Sequence, residues 1–222
     1  MFRRHTLGWI WQNRIMKIVF CIGNGESRAG FNLAKLKQYG ELYGSNAIFR
    51  DTEVDHLICC DRRMAMETVS KGYKGLVYTR KDWYSFFPYD NFRQLPELPW
   101  EEKEKHTQSF HMGSGLHAVN VASQNKPNII IVIGHDFWST GSKHNNLYKG
   151  TENYADVIAP AIDPSFWIKQ FVMFFQKFTT TQFVFCQPNI GNWQKPMGWS
   201  NEVFPNLQFQ ELGELIDVLN QS

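Results

Sequence analysis

The chain has 222 residues, of which 43% are apolar and 20% charged, with a formal net charge of +2. That length suits one large domain, or one domain with a sizeable insertion, and the composition excludes intrinsic disorder. So small a charge does not drive nucleic-acid binding by bulk electrostatics, and no apolar run is long enough to read as a transmembrane segment.

In chain order, residues 1–15 (MFRRHTLGWIWQNRI) are basic and then aromatic, too short and broken for a signal or membrane helix. They are expected to be an extension that contributes little to the fold. Residues 16–22 (MKIVFCI) predict a first strand, 30–39 (GFNLAKLKQY) a short helix, and 41–49 a second strand and turn. Residues 56–60 (HLICC) predict a third strand stopped by Asp61, 62–70 a helix, and 75–79 (GLVYT) a fourth strand. Residues 81–107 break this rhythm with four Trp or Tyr and three Pro, and are expected as an insertion or lid with mobile parts.

A helix is predicted over 113–124 (GSGLHAVNVASQ). Residues 128–133 (NIIIVI) are the clearest strand, a nearly unbroken β-forming run suited to a central parallel strand covered on both faces. Residues 135–160 are polar and glycine-bearing, a second loop or lid. Pro164 suits the first turn of a helix running to about Phe178. Then come a strand at 181–186 (TQFVFC), a loop at 187–206, a last strand (LQFQEL) and a closing helix (GELIDVLNQ). Strands alternating with helices predict a single α/β Rossmann-like domain over 16–222. Its sheet is expected to be mostly parallel, with helices on both faces and lid-like insertions near 81–107 and 135–160. Ligands in such sheets bind beyond the carboxyl ends of the strands.

Cys21, Cys59, Cys60 and Cys186 lie in apolar, strand-like runs without a C-x-x-C pair, and read as small buried hydrophobes. Reduced thiols fit a cytoplasmic setting. The aromatic share is high, with 18 Phe and 8 Trp, so some rings are expected at a pocket or interface.

The chemistry-bearing residues cluster after strands. Gly23-Asn24-Gly25-Glu26-Ser27 follows the first. Two glycines two apart allow a sharp turn that presents amides, and Ser27 suits the cap of the next helix, whose positive end favours a phosphate. The same five residues equally fit a plain strand-to-helix turn, and Glu26 is an awkward neighbour for phosphate. Asn46 can read a base or ribose, and Asp61 can accept from ribose hydroxyls; turn chemistry is the alternative for both. Gly113-Ser114-Gly115 opens a helix and offers a second set of amides to an anion. In Gly134-His135-Asp136-Phe137-Trp138, the glycine lets a base lie on the backbone, and Phe137 or Trp138 can stack on it. Seven His show no metal-ligand spacing. Asp61 or Asp136 can hold a divalent ion such as Mg²⁺ weakly, together with substrate phosphates.

Taken in order, GNGES, SN, a strand ending in Asp, MGSG before a helix, and IIIVIGHDFW resemble the bacterial CMP-sialic-acid-dependent sialyltransferases. Those read G-N-G-P-S, C-N, T-S-G and G-x-D-F-Y. The succession is also similar to motility-associated glycosyltransferase-like proteins, to the archaeal pterin diphosphokinase-like group, and to phage-encoded proteins of this size. It covers roughly residues 16–186. The resemblance implies a Rossmann-like fold, a cytidine nucleotide-sugar (CMP-type) donor, no obligatory metal, and a lid after the G-x-D-F-Y element. On matching positions Asn24 and Ser27 would hold the phosphate or ribose, Asn46 and Ser114 would contact the nucleotide, and Gly134, His135 and Phe137 would line the base.

The departures are specific. The loop proline is Glu26, and the tyrosine after phenylalanine is Trp138, so a phosphate-binding hydroxyl is lost; Tyr148 is a displaced substitute. The catalytic histidine of the family has Asp163 in its neighbourhood, and His144 in the lid is the other candidate base. The nucleotide-binding set is therefore Gly23, Asn24, Gly25, Ser27, Asn46, Asp61, Ser114, Gly115, Gly134, Asp136 and Phe137, and the catalytic set is His144, Tyr148 and Asp163. The expected function is group transfer from a nucleotide sugar to an acceptor. The alternatives are pterin-type pyrophosphate transfer, or a non-catalytic, phage-derived module acting on a host protein in the host cytoplasm. A homo-oligomer is a further expected assembly.

Overall fold

The computed structural model describes residues 16–138 and 143–221. Short β-branched and aromatic runs become strands: β1 (Ile18–Ile22), β2 (Glu41–Ser45), β3 (His56–Cys59), β4 (Leu76–Thr79), β5 (Phe92–Gln94), β6 (Ile129–Ile133), β7 (Gln182–Gln187) and β8 (Leu207–Glu211). They form one sheet in the order β5-β4-β3-β2-β1-β6-β7-β8, and each neighbouring pair is parallel. The helices are α1 (Arg62–Ser70), α2 (Lys81–Tyr84), α3 (Ser114–Gln124), α4 (Ser165–Lys177) and α5 (Leu215–Asn220). This is a Rossmann-like α/β fold. Among the described residues no helix is long and apolar enough to cross a membrane.

The two-residue strand period divides the core. On one face Ile18, Phe20 and Ile22 of β1 pack with Leu36 of a 3₁₀ turn at Leu33–Leu36, with Met64 and Ala65 of α1, and with Leu215 of α5. On the other, Val19 and Cys21 pack with Leu116 and Val119 of α3 and with Phe171 and Phe174 of α4. All five residues of β6 are buried between β1 and β7, the central position that an apolar run demands. Each such side chain contributes about 1.5–3 kcal/mol through burial. Cys21, Cys59 and Cys186 are buried and Cys60 nearly so, all free thiols; burial pushes the Cys60 thiol up to about 12.

Two expectations change. Residues 30–39 do not form an α-helix. The chain makes 3₁₀ turns at Glu26–Arg28 and Leu33–Leu36, with Gly30 at φ +75° between them and Asn32 capping the second through the amide of Ala34. Residues 81–107 are not simply an insertion. They carry α2 and the edge strand β5, only three residues long and too short for any periodicity to register, and a 3₁₀ turn at Lys105–Thr107 closed by a Glu104–Thr107 capping box.

The segment after β6 is tied down. Lys143 bridges Pro160, and the Leu147 amide donates to Asn24 O at 2.8 Å. Arg50 forks onto Glu67 at 2.7 and 2.6 Å and also donates to Thr151 Oγ1 at 2.8 Å and Glu152 O at 2.9 Å. Asn153 Nδ2 adds a bond to Glu67 at 2.8 Å. Residues 143–155 thus form a strap across β1, β2 and α1. The expectations for residues 1–15, and for 139–142 within the second insertion, fall outside the described residues.

Candidate functional site

The chain leaves β1 toward β2 on one side and returns through β6 on the other, so strand order reverses between β1 and β6. A crevice opens at such a switch point beyond the carboxyl ends. Here it holds a cavity of about 200 Å³. Gly23, Asn24 and Gly25 line it from β1, Ser45 and Asn46 from β2, Gly113 to Leu116 from the start of α3, and Gly134 to Phe137 from β6. His144, Asn145 and Asn146 of the strap, with Ile162, Trp167 and Phe171, close the rim.

The glycines serve loop-to-loop packing. A Cβ on Gly23 would lie 2.3 Å from Gly134 O, and one on Gly25 2.4 Å from Asp136 Cγ. Gly134 itself sits at φ +66°. The loops of β1 and β6 therefore touch backbone to backbone. This closeness engages most of the first set of amides that the sequence offered to a phosphate. Gly23 N donates to Ile133 O and Gly25 N to Gly134 O, both at 2.8 Å. Glu26 N donates to Asn145 Oδ1 at 2.8 Å and Ser27 N to Asp136 Oδ2 at 2.9 Å.

Ser27 is corrected accordingly. The residue before the short turn is Gly25, no α-helix follows, and Ser27 Oγ is buried without a partner, away from the cavity lining. The Glu26 carboxylate turns outward to the Lys149 ammonium. Asn24 is engaged as well: its Nδ2 donates to Ser45 O and Tyr154 Oη, both at 2.9 Å, and its Oδ1 accepts from Arg28 at 3.3 Å.

Asn46 has φ +52°, a left-handed conformation that asparagine tolerates. Its Oδ1 accepts from Ser114 Oγ at 2.8 Å, and Ser114 Oγ accepts from the Cys60 amide at 3.0 Å. These bonds tie the ends of β2 and β3 to α3. Phe137 lines the cavity but is 3% exposed and meets Phe171 and Trp199 edge-on, so it belongs to the aromatic core and offers no free stacking face.

Besides Ser27, three residues expected at the site lie elsewhere. Asp61 is exposed and caps α1 through the Arg63 amide at 2.8 Å. Tyr148 is buried on the far side of the glycine loop, where its hydroxyl donates to Asp51 at 2.5 Å and accepts from Arg28 at 3.0 Å. Burial raises its phenol. Asp163 is exposed and accepts from the Ser165 amide at 2.9 Å, next to the cavity-lining Ile162 but not itself in the wall. Of the three catalytic candidates only His144 lines the cavity; partial burial, then the nearby Lys149 charge, lower its pKa.

Of the two carboxylates considered for a divalent ion, only Asp136 faces the cavity, and among the described residues no group of three or more His, Cys, Asp or Glu converges on one point. No Lys or Arg lines the cavity among the described residues. Sequence reasoning missed Asn145, Asn146, Ile162 and Trp167. The H-N-N run is visible in the chain, but nothing local says that it folds back onto β1.

No family model and no curated protein matches the chain. Among solved structures, the sialyltransferase CstII from Campylobacter jejuni, determined in complex with the substrate analogue CMP-3FNeuAc, is similar at 15% sequence identity. The match covers 79% of this chain and 82% of that one, with a TM-score of 0.49.

Proposed function

We propose that the cavity between β1 and β6 binds a nucleotide, and that the protein is a glycosyltransferase-like group transferase using a nucleotide-sugar donor. The observation that carries this reading is a crevice at the switch point of a parallel sheet, holding a buried imidazole, His135, whose Nε2 has no hydrogen-bond partner, beside Asp136 with one unpartnered oxygen. Buried polar groups are nearly always paired, and each one left alone costs about 1–3 kcal/mol. A ligand with complementary groups recovers that loss. The cavity is smaller than the ~300–1,000 Å³ that encloses a whole drug-sized ligand. It suits the nucleotide part of a donor, with the transferred group toward the open rim at His144 and Ile162.

The full chain is screened by thermal unfolding against cytidine, uridine, guanosine and adenosine nucleotides and their sugar conjugates. A ligand at a hundred times its Kd stabilises the folded state by about 2.7 kcal/mol, which raises Tm by several degrees. The nucleotide reading falls if none of them shifts Tm at millimolar concentration.

His144 is the candidate general base. His144→Asn is expected to slow nucleotide release from the productive sugar conjugate by about 10²–10⁴-fold while nucleotide binding stays within about two-fold. An unchanged rate removes His144 from the chemistry.

A further inference from the structure

We propose that a single phosphate of the ligand sits at the amino end of α3, held by the first-turn amides of that helix and by the imidazole of His135. This rests on the nucleotide reading above.

Of the two sets of donors expected from the sequence to hold phosphate, most of the first, the loop after β1, is otherwise engaged. The amides of Gly23, Gly25, Glu26 and Ser27 all have protein acceptors. The Asn24 amide group is bound to Ser45 and Tyr154, and the Tyr148 hydroxyl is bound between Arg28 and Asp51 outside the cavity. Position 138 is tryptophan, and no Lys or Arg lines the wall among the described residues.

The start of α3 remains. Its cap residue, Gly113, has no side chain to offer, and the first helical bond runs from His117 N to Gly113 O at 3.0 Å. The amides of Ser114, Gly115 and Leu116 therefore precede the helical ladder, and α3 spans 11 residues with its partial positive end at the cavity. The Ser114 hydroxyl is turned to Asn46 and Cys60 and does not close over these amides.

His135 stands against the same turn. A Cβ on Gly115 would lie 3.0 Å from His135 Cε1 and 3.5 Å from Nδ1, and one on Gly23 would lie 2.9 Å from Cδ2. Two glycines and an edge contact with Phe171, centroids 5.5 Å apart, thus fix the ring. Burial holds its pKa down to about 4, so near neutral pH it is an uncharged ring with one donor and one acceptor nitrogen. It adds a hydrogen bond to the helix end without adding a full charge, as a neutral histidine does at the helix terminus of triosephosphate isomerase. Asp136 carries its carboxylate under Gly25, where it repels a phosphate and accepts from hydroxyl or amino groups. The phosphate is thereby directed to α3 and the donor-bearing part of the ligand to the loop of β6.

The test measures binding of CMP, UMP, GMP and AMP and of their parent nucleosides to the wild type, His135→Leu, His135→Gln and Gly113→Asp. The wild type should prefer its best monophosphate over the matching nucleoside by about ten-fold or more, the worth of one charge-assisted hydrogen bond. His135→Leu should reduce that preference to within about three-fold while nucleoside binding survives, and His135→Gln should restore part of it. Gly113→Asp, which places a carboxylate on the same amides and meets no atom within 4 Å of its Cβ, should also remove the preference. Ligand-free His135→Leu should melt at or above the wild-type temperature, because a buried polar group without a partner is gone.

A preference unchanged in His135→Leu and Gly113→Asp overturns the phosphate site and leaves the nucleotide reading standing. A His135→Leu protein that melts lower and loses monophosphate and nucleoside alike shows a structural histidine, and also overturns it. Absence of wild-type binding to any nucleotide or nucleoside overturns both readings.

Discussion

Gly23→Ala is expected to be the most damaging single-methyl substitution at the site. The added Cβ would stand 2.3 Å from Gly134 O and 2.9 Å from Gly134 C, and both are backbone atoms. Neither loop can retreat without losing the bonds from Gly23 N to Ile133 O and from Gly25 N to Gly134 O. Overpacking of this kind costs about 1–3 kcal/mol, and here two backbone bonds are at stake as well, so a loss of roughly 3 kcal/mol or more follows. For a chain of this size that lowers Tm by roughly 6–12 °C.

Gly113→Ala is the control. It has φ −73° and nothing within 4 Å of the new methyl, and the unfolded-state gain from Gly→Ala opposes the loss of a favoured N-cap residue, so its stability should stay within about 1 kcal/mol of the wild type. Thermal unfolding of the two variants beside the wild type decides the matter. Equal melting temperatures for Gly23→Ala and the wild type would show that the loops of β1 and β6 do not meet as described.

Glu67→Gln should release the strap. Glu67 is almost wholly buried, with 4% of its side chain exposed, and takes both arms of the Arg50 fork and the Asn153 amide. Breaking a buried pair by removing one charge costs about 3–5 kcal/mol, because the other charge stays behind. Arg50, 21% exposed, can partly rehydrate, which places the expected loss near the lower end of that range.

The pair also sets a pH dependence. Burial pushes the Glu67 carboxyl up, but the hydrogen bonds from Arg50 and Asn153 and the Arg50 charge outweigh it and hold the group below 4.5. A carboxyl depressed in the folded state contributes stability above its unfolded pKa and loses it as pH falls through the folded value. The wild type should therefore lose strap stability below about pH 4.5, while Glu67→Gln should lack that component. Urea midpoints from pH 3 to 7, with amide exchange of residues 143–155, read both effects. The site feels the same change, since the strap supplies the bonds from Leu147 N to Asn24 O and from Glu26 N to Asn145. A Glu67→Gln protein with wild-type exchange across 143–155 would show that the strap is held by other contacts.

By itself the sequence determined most of the architecture and the edge of the sheet where the cavity opens. Runs such as IVFCI and IIIVI, five residues long and rich in β-formers, read as strands covered on both faces, and the helices Arg62–Ser70, Ser114–Gln124 and Ser165–Lys177 are written in local periodicity, the first also in its Asp61 cap. Alternation of the two places the polar turns of Gly23, Asn46, Ser114 and Gly134 at one edge of a parallel sheet. What each polar atom does was decided only by tertiary structure. The Ser27 amide is engaged by a residue 109 positions away and the Glu26 amide by one 119 away. Tyr148 is drawn into the core by Arg28 and Asp51, and Asp61 is kept at a helix cap. The three-residue strand β5 exists through its pairing with β4. Hydrophobic pattern is a local property of the chain, whereas a hydrogen-bond partner is chosen by whichever distant segment the fold brings within 3 Å, and that choice has no local signature.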